Sequence, residues 1–197
     1  SLYEGIVGVF FEFLKLKKLE VSYKISEQEP DFISNIFEEE QIGKKNILIF
    51  AWRDLKHPEV GGSEIYMQEV AKRLNKDHNI VIFTSKPSNV SPKDTIDGVK
   101  IVRKGGRFSV YFWGFIYYLK YFRKNTDLII DVCNGIPFFT PIFSAKPVIL
   151  LVHHVHKKQW FKEFNLILGS IGYFIESFLL CFIYKSSTVV TVSPSSL

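Results

Sequence analysis

Cysteine and methionine are scarce in this chain. Its 197 residues contain two cysteines, Cys133 and Cys181, and a single methionine. Two cysteines alone form neither a disulfide framework nor a zinc-binding spacing. Small secreted domains are usually dense in disulfides, so the sequence favours a cytosolic setting. No secretory signal is visible at the amino end.

Two familiar phosphate-binding glycine motifs are also missing. The sequence has neither the G-x-G-x-x-G dinucleotide fingerprint nor a P-loop with its Gly-Lys-Ser/Thr ending. Internal repeats and low-complexity tracts are absent as well. The chain begins at Ser1 without a methionine, and we therefore expect an excised piece of a longer protein.

Only one long apolar run is present. Leu166–Tyr184 is mostly apolar and almost long enough to cross a bilayer. Glu176 lies near its centre, where a carboxylate in hydrocarbon would be costly. We therefore expect a helix that packs on a sheet and at most touches a membrane surface, in preference to a spanning helix.

Charge is distributed unevenly along the chain. Residues 1–45 hold 6 Lys and 9 Asp/Glu, a net charge of −3, whereas residues 46–197 hold 19 Lys/Arg and 11 Asp/Glu, a net charge of +8. A basic domain favours phosphorylated substrates or anionic lipid heads as partners, and we expect no nucleic acid. The densest basic cluster is Lys100, Arg103, Lys104 and Arg107, for which a solvated charged edge is the commoner interpretation.

From residue 46 onward, apolar β-branched runs alternate with helical patterns. This alternation predicts a parallel sheet with helices on both faces and right-handed crossovers. We predict strands at Asn46–Trp52, Asn79–Thr84, Val99–Arg103, Leu128–Val132, Val148–His153 and Thr188–Val192. We predict helices at Ser63–Asn75, Ser109–Lys124, Lys157–Phe164 and Ser170–Lys185. Residues 1–45 are expected to be a flanking helix or linker, or the end of a preceding module, and 46–197 the folded domain.

The most informative motif is the double glycine of Pro58–Glu64, between the first strand and the first helix. A glycine loop at a helix start brings backbone N–H groups and the positive end of the helix dipole up to an anion. The position therefore indicates a site for a phosphate or a polar sugar at the carboxyl end of the first strand. A simple tight turn is an equally good interpretation of Gly-Gly alone.

Three histidines, His153, His154 and His156, follow an apolar strand at its carboxyl end. Side chains alternate faces along a strand, so only one of His153 and His154 is expected to face a ligand. Three interpretations stay open: a metal site, a structural histidine, and a polar group in a sugar-binding cleft. The metal site is the weakest, because no third ligand stands at a recognisable spacing.

Two polar residues close another predicted strand. Asp131 and Asn134 lie at its carboxyl end and are candidate hydrogen-bonding partners for substrate hydroxyls. The alternative is that Asn134-Gly135 is simply a turn.

These stretches together resemble the N-terminal domain of family 4 glycosyltransferases, which have the GT-B fold. The resemblance covers about residues 46–197. It rests on the order of PEVGGSEIYMQEVAKRL, NIVIFTS, DLIIDVCNGIPFF, KPVILLVHHVHKKQW and SSTVVTVSPSSL.

The resemblance implies an α/β fold with a Rossmann-like, doubly wound, mainly parallel sheet that forms one half of a GT-B enzyme. In such enzymes this half mainly holds the acceptor, and a second domain holds the nucleotide-sugar donor. Transfer retains the anomeric configuration and generally needs no metal. We therefore expect no cofactor and treat the nucleotide sugar as a substrate.

The resemblance also implies roles for particular residues. Gly61 and Gly62 match the glycine loop near the donor diphosphate and the acceptor. His153 matches a histidine that positions and stabilises the transferring sugar, and it is the candidate catalytic residue. The full set of expected donor- or substrate-binding residues is Gly61, Gly62, Glu64, Asp131, Asn134, His154 and His156.

The sequence ends at Leu197, before the family's second domain and its Glu-x7-Glu donor motif. We therefore expect the fragment alone to be inactive. The expected acceptor is a glycan or a lipid-linked intermediate. The expected location is the cytoplasm, with peripheral contact to the anionic inner face of the membrane. Two alternatives are a non-catalytic glycan- or lipid-head-group-binding module and a GT-B sugar-nucleotide epimerase.

Overall fold

The computed structural model describes residues 33, 36–37, 43–154 and 178–192, and for His154 only the backbone. Every structural statement below concerns these residues. The predicted helix Lys157–Phe164 and the first half of the predicted helix Ser170–Lys185 lie outside them.

Strands and helices alternate as the hydrophobic pattern predicts. In chain order they are β1 (Asn46–Phe50), α1 (Gly62–Leu74), β2 (Asn79–Thr84), β3 (Lys93–Ile96), β4 (Val99–Arg103), α2 (Ser109–Tyr117), β5 (Leu128–Asn134), β6 (Val148–His154), α3 (Leu180–Ile183) and β7 (Thr188–Thr191). Helix α2 continues into a π-helical turn, Tyr118–Phe122. A short 3-10 turn, Thr140–Ile142, lies between β5 and β6.

The strands form a single seven-stranded sheet in the order β3-β4-β2-β1-β5-β6-β7. All neighbouring strands are parallel except the pair β3 and β4. On one side of β1 lie β2, β4 and the edge strand β3, and on the other side lie β5, β6 and β7. This is the strand order of a doubly wound Rossmann sheet, with its topological switch point between β1 and β5. The predicted fold class is confirmed.

The central strands of the sheet are buried on both faces, whereas β3 and β7 at its edges are partly exposed. One face packs under α1, where Met67 and Ala71 meet alternate strand residues such as Ile49 and Ile130. The other face packs under α2 and its π-helical turn, around an aromatic core that includes Phe50 and Phe83. Burial on both faces explains why these strands read as continuous apolar runs.

Two elements differ from the sequence prediction. Strand β3 was not expected, because Lys93–Ile96 is largely polar; it is an antiparallel edge strand that pairs with β4 across a turn at Asp97 and Gly98. Both turn residues have positive φ, 51° and 82°, as a type I′ hairpin requires. The helix predicted at Ser109–Lys124 is α-helical only as far as Tyr117.

Three residues from the segment before β1 lie in the aromatic core. Ile33, Ile36 and Phe37 are buried there, and the Lys100 ammonium donates to the Ile36 carbonyl at 2.9 Å. This segment therefore contributes to the same core as the sheet. The domain boundary at residue 46 stays a prediction.

The basic cluster predicted at Lys100–Arg107 is not one solvated edge. Arg103 is 1% exposed, and its Nε donates to Asp54 Oδ2 at 2.5 Å. Its Nη1 donates to the Ser91 carbonyl and to Asp94 Oδ2, at 2.9 and 3.1 Å. The prediction was wrong for Arg103, because its charge is neutralised inside the fold by two carboxylates.

Within the described ranges, no helix has both the length and the apolar character needed to cross a membrane. Residues 166–177 of the long apolar run lie outside those ranges.

Candidate functional site

The candidate site is the crevice outside the carboxyl ends of β1 and β5. In open α/β sheets ligands bind at this topological switch point, because the loops after the two strands diverge to opposite faces. The loop after β1 leads through Trp52 and Arg53 to Gly61 and the start of α1. Strand β5 ends at Asn134, and its neighbour β6 brings His153 to the same edge.

The amino end of α1 is open. Gly61 is the N-cap in an extended conformation, with φ −143° and ψ −165°, and Gly62 is the first helical residue. The Gly61 N–H donates to Glu64 Oε2 at 2.7 Å. The amide groups of Gly62 and Ser63 have no partner in a helix's first turn, and they make no hydrogen bond within the described part of the chain. They are therefore available to an acceptor from outside the domain.

The protein's own packing does not require either glycine. Neither has a positive φ, and a Cβ at Gly62 would meet none of the described residues within 4 Å. A Cβ at Gly61 would lie 3.6 Å from Glu64 Oε2, an ordinary contact. The space above Gly62 is thus left empty by the fold, which is what close approach of a ligand to the backbone needs.

Glu64 connects the three elements around the crevice. Its Oε1 accepts from Ser63 Oγ at 2.7 Å and from both Nε and Nη2 of Arg53 at 3.2 Å. Asn134 Nδ2 lies 2.8 Å from Ser63 Oγ and 3.3 Å from Glu64 Oε1. The predicted site residues Gly61, Gly62, Glu64 and Asn134 are therefore brought together.

Glu64 is ionised in this network. It is 4% exposed, and burial raises the pKa of its carboxyl. Hydrogen bonds from Ser63 and Gly61 and the charge of Arg53 outweigh burial, so the pKa lies below its ordinary value. Glu64 thus accepts its hydrogen bonds from groups of this domain, and Arg53 offsets its negative charge.

Arg53 and Trp52 form the wall of the crevice after β1. The Arg53 guanidinium lies 4.2 Å from the centre of the Trp52 ring and donates to the Glu59 carbonyl at 2.6 Å. Arg107 approaches the same ring at 5.5 Å. The two guanidinium groups are balanced by the carboxylates of Glu59 and Glu64.

His153 lies on the α1 face of the sheet. It stands two residues after Leu151, which packs in the α1 core, and its ring meets that of Tyr66 on α1, 5.4 Å between centroids and 82° apart. Burial lowers the pKa of His153, and the nearby carboxylate of Glu64 opposes this shift. The imidazole is therefore mostly neutral at pH 7 and lies on the same side as the glycine loop.

Asp131 does not face the crevice. It is 0% exposed and lies on the α2 face, where Phe138 N and Thr140 N donate to it at 2.9 and 3.0 Å, joined by the Thr140 and Tyr184 hydroxyls. Burial raises the pKa of Asp131. The expectation that it contacts a substrate hydroxyl is corrected: Asp131 shapes the loop after β5 from inside.

For His154 and His156, the other two histidines predicted for the site, the structure describes no side chain. The backbone of His154 pairs with Asn134 at the irregular end of β5 and β6, and His156 lies outside the described residues. Among the residues that the structure does describe, no group of three or more His, Cys, Asp or Glu side chains is arranged to hold a metal ion.

The decisive comparison is with protein families. Residues 60–197 match the model of Glycosyltransferase Family 4, which is more than half of the chain. The chain belongs to glycosyltransferase family 4. A comparison with curated proteins gave no significant match.

The family match includes the residues that line the crevice. It begins at Val60, next to Gly61, and takes in Glu64, Asn134 and His153. Family membership supports a glycosyltransferase role for this domain. Its glycine loop lies at the switch point of the sheet.

Sequence reasoning missed four residues of the candidate site: Trp52, Arg53, Ser63 and Tyr66. A signal for Arg53 was present, because it directly follows an apolar strand whose carboxyl end faces the crevice. Ser63 stood inside the quoted motif but was not assigned a role. Tyr66 carried no signal, since its partner His153 is far away in the sequence.

Proposed function

We propose that this domain is the acceptor-binding half of a retaining, nucleotide-sugar-dependent glycosyltransferase of the hexosyltransferase type. Its products would be glycans, polysaccharides or glycolipids. The observation that carries the proposal is the open amino end of α1 at Gly62, on the same face of the sheet as His153, whose ring contacts Tyr66 of that helix.

The proposed chemistry uses the charge that develops on the leaving group. As the bond from the anomeric carbon to the diphosphate oxygen breaks, negative charge accumulates on that oxygen. The amides of Gly62 and Ser63 and the helix dipole of α1 stabilise this charge. The acceptor hydroxyl bonds to the same face of the anomeric carbon, and its proton passes to the departing phosphate.

His153 has a positioning role in this proposal. A neutral imidazole accepts a hydrogen bond from, or donates one to, a hydroxyl of the transferring sugar without adding a competing charge. Contact with Tyr66 holds the ring in place.

The proposed partners follow from this assignment. They are a nucleotide-sugar donor shared with a second domain and a glycan or lipid-linked acceptor. Peripheral contact with an anionic membrane from the cytoplasmic side is a further proposal, motivated by the net positive charge of residues 46–197.

The test compares two glycines in a full-length protein that joins this domain to a donor domain. Gly62 and Gly106 both have open space for a Cβ and no positive φ. Gly62→Leu is expected to lower kcat/KM by about 100-fold or more, the scale of losing a transition-state donor. Gly106→Leu should leave kcat/KM within about twofold, since no transition-state contact is removed.

Both variants are expected to keep the melting temperature of the parent. Normal kinetics for Gly62→Leu would remove the loop from the mechanism. Donor binding without any transfer by the parent would favour a non-catalytic module. The 197-residue chain alone is expected to show no transfer, and efficient turnover by that pure chain would contradict the proposal.

A further inference from the structure

A second concave surface lies at the opposite edge of the sheet. It is a cavity of about 660 Å³ between the end of the π-helical turn and the residues that precede β6. This volume falls in the range of small-molecule sites. Four of its seven lining residues are cations: Lys120, Arg123, Lys124 and Lys146.

These four cations have no carboxylate partner among the described residues. The lining residues that the structure describes include no acidic side chain. Several other surface cations do lie within 4 Å of a carboxylate, among them Lys72 with Glu69 and Asp97, and Arg107 with Glu59. Like charges collected in a concavity repel one another and attract a multivalent anion. The arrangement therefore favours an anionic ligand.

The backbone here is unusual. Residues Tyr118–Phe122 are π-helical, and Arg123 N donates to the Tyr118 carbonyl at 2.8 Å, five residues back. Single π-helical turns are rare and frequently occur at functional sites. Two residues of this turn, Lys120 and Tyr121, line the cavity.

Tyr121 contributes its ring to the cavity lining. The Lys120 ammonium lies 5.1 Å from the centre of that ring, a distance at which the ring attracts the cation. The contact favours a position of the ammonium at the cavity.

We infer that this cavity binds an anionic, phosphate-bearing ligand. The cavity lies before β5 and β6, whereas the crevice lies after them. Strand β5 has seven residues, so the two sites are about 20 Å apart at ~3.3 Å per residue. The inference rests on this cavity alone and holds whether or not the crevice transfers a sugar.

The phosphate has two possible sources, a phospholipid headgroup or a soluble phosphorylated compound. Binding is therefore measured with two probes at low salt, where surface charge is least screened. One probe is inorganic pyrophosphate, followed by calorimetry. The other is vesicles of phosphatidylcholine with and without phosphatidylglycerol, followed by flotation.

The variants are matched for charge and sequence context. Arg123→Gln/Lys124→Gln removes two adjacent exposed cations at the cavity. Lys72→Gln/Arg73→Gln removes two adjacent exposed cations at the end of α1. The cavity variant is expected to weaken binding by about tenfold or more, and the α1 variant by less than about twofold, because general surface charge contributes little at that distance.

Each outcome decides the inference. Cavity-dependent binding of anionic vesicles only assigns the site to a lipid headgroup, and cavity-dependent binding of pyrophosphate only assigns it to a soluble phosphate. No binding of either probe, or an equal loss in the two variants, would overturn it. Unchanged melting temperatures show that lost binding does not reflect lost folding.

Discussion

The Asn134 side-chain amide donates to Ser63 Oγ at 2.8 Å, and this bond joins the carboxyl end of β5 to the first turn of α1. The two residues lie 71 positions apart in the sequence. They close the crevice at the point where the sheet changes direction. The bond therefore fixes the glycine loop against the sheet, on the side where His153 lies.

Asn134→Ala is expected to destabilise the domain by about 1–2 kcal/mol, because it removes the amide that donates to Ser63 Oγ and Glu64 Oε1. Urea unfolding gives the change in the free energy of unfolding. The matched control is Asn89→Ala in an exposed loop, which should change stability by less than about 0.5 kcal/mol. Identical midpoints for the two variants would show that the Asn134 bond contributes nothing.

The fold requires glycine at some positions and would accommodate a side chain at others. Gly105 has φ +77°, and a Cβ there would lie 2.8 Å from Trp113 and 2.9 Å from the backbone of Ser109. Gly62 has neither constraint. Gly62→Ala is therefore expected to keep stability or raise it by up to ~1 kcal/mol, whereas Gly105→Ala should cost more than about 1 kcal/mol.

Thermal unfolding of the two alanine variants measures this difference. A loss of stability in Gly62→Ala comparable to that in Gly105→Ala would mean that the fold itself requires the glycine. In that case the open loop would no longer indicate approach of a ligand.

The sheet was largely predictable because its central strands are buried on both faces. Runs such as Asn79–Thr84 match the observed strand residue for residue. Strand β3 was not predictable in this way, since a polar edge strand depends on its partner β4. The π-helical turn depends on a five-residue hydrogen bond that leaves no mark in the hydrophobic period.

The candidate site was predictable in part. Sequence placed Gly62 and His153 at the carboxyl edge, because both follow apolar strands. Sequence analysis assigned Asn134 and Asp131 to the same site. In the structure Asn134 faces α1, whereas Asp131 faces the aromatic core on the opposite side of the sheet. The strand alternation contained that signal, since positions 131 and 134 differ by an odd number and so lie on opposite faces. It also did not reveal that Arg103 is buried, because its main partner Asp54 is 49 residues away.

The Glu64 carboxylate raises the pKa of His153, against the larger lowering by burial. Glu64 is itself ionised throughout the range in which a histidine titrates, because its own pKa lies below the ordinary value. Removing that negative charge destabilises the imidazolium. Glu64→Gln is therefore expected to lower the pKa of His153 further, as measured by NMR titration of its ring.

The matched control for this titration is Glu59→Gln. Glu59 is exposed and contacts Arg53 and Arg107, and it does not contribute to the pKa of His153. The His153 pKa should be unchanged in this variant. An upward shift in Glu64→Gln would contradict the proposed electrostatic coupling between α1 and β6.

The buried pair of Arg103 and Asp54 is expected to behave differently from exposed pairs. Both residues are 1% exposed, so Arg103→Met leaves Asp54 charged and desolvated and should cost about 3–5 kcal/mol. Lys56→Met removes an exposed partner of Asp94 in the same network and should cost less than ~1 kcal/mol. The double variant Arg103→Met/Asp54→Leu should lose less than the sum of its single changes, because no charge is left alone. Strict additivity in urea unfolding would show that the two side chains do not stabilise each other.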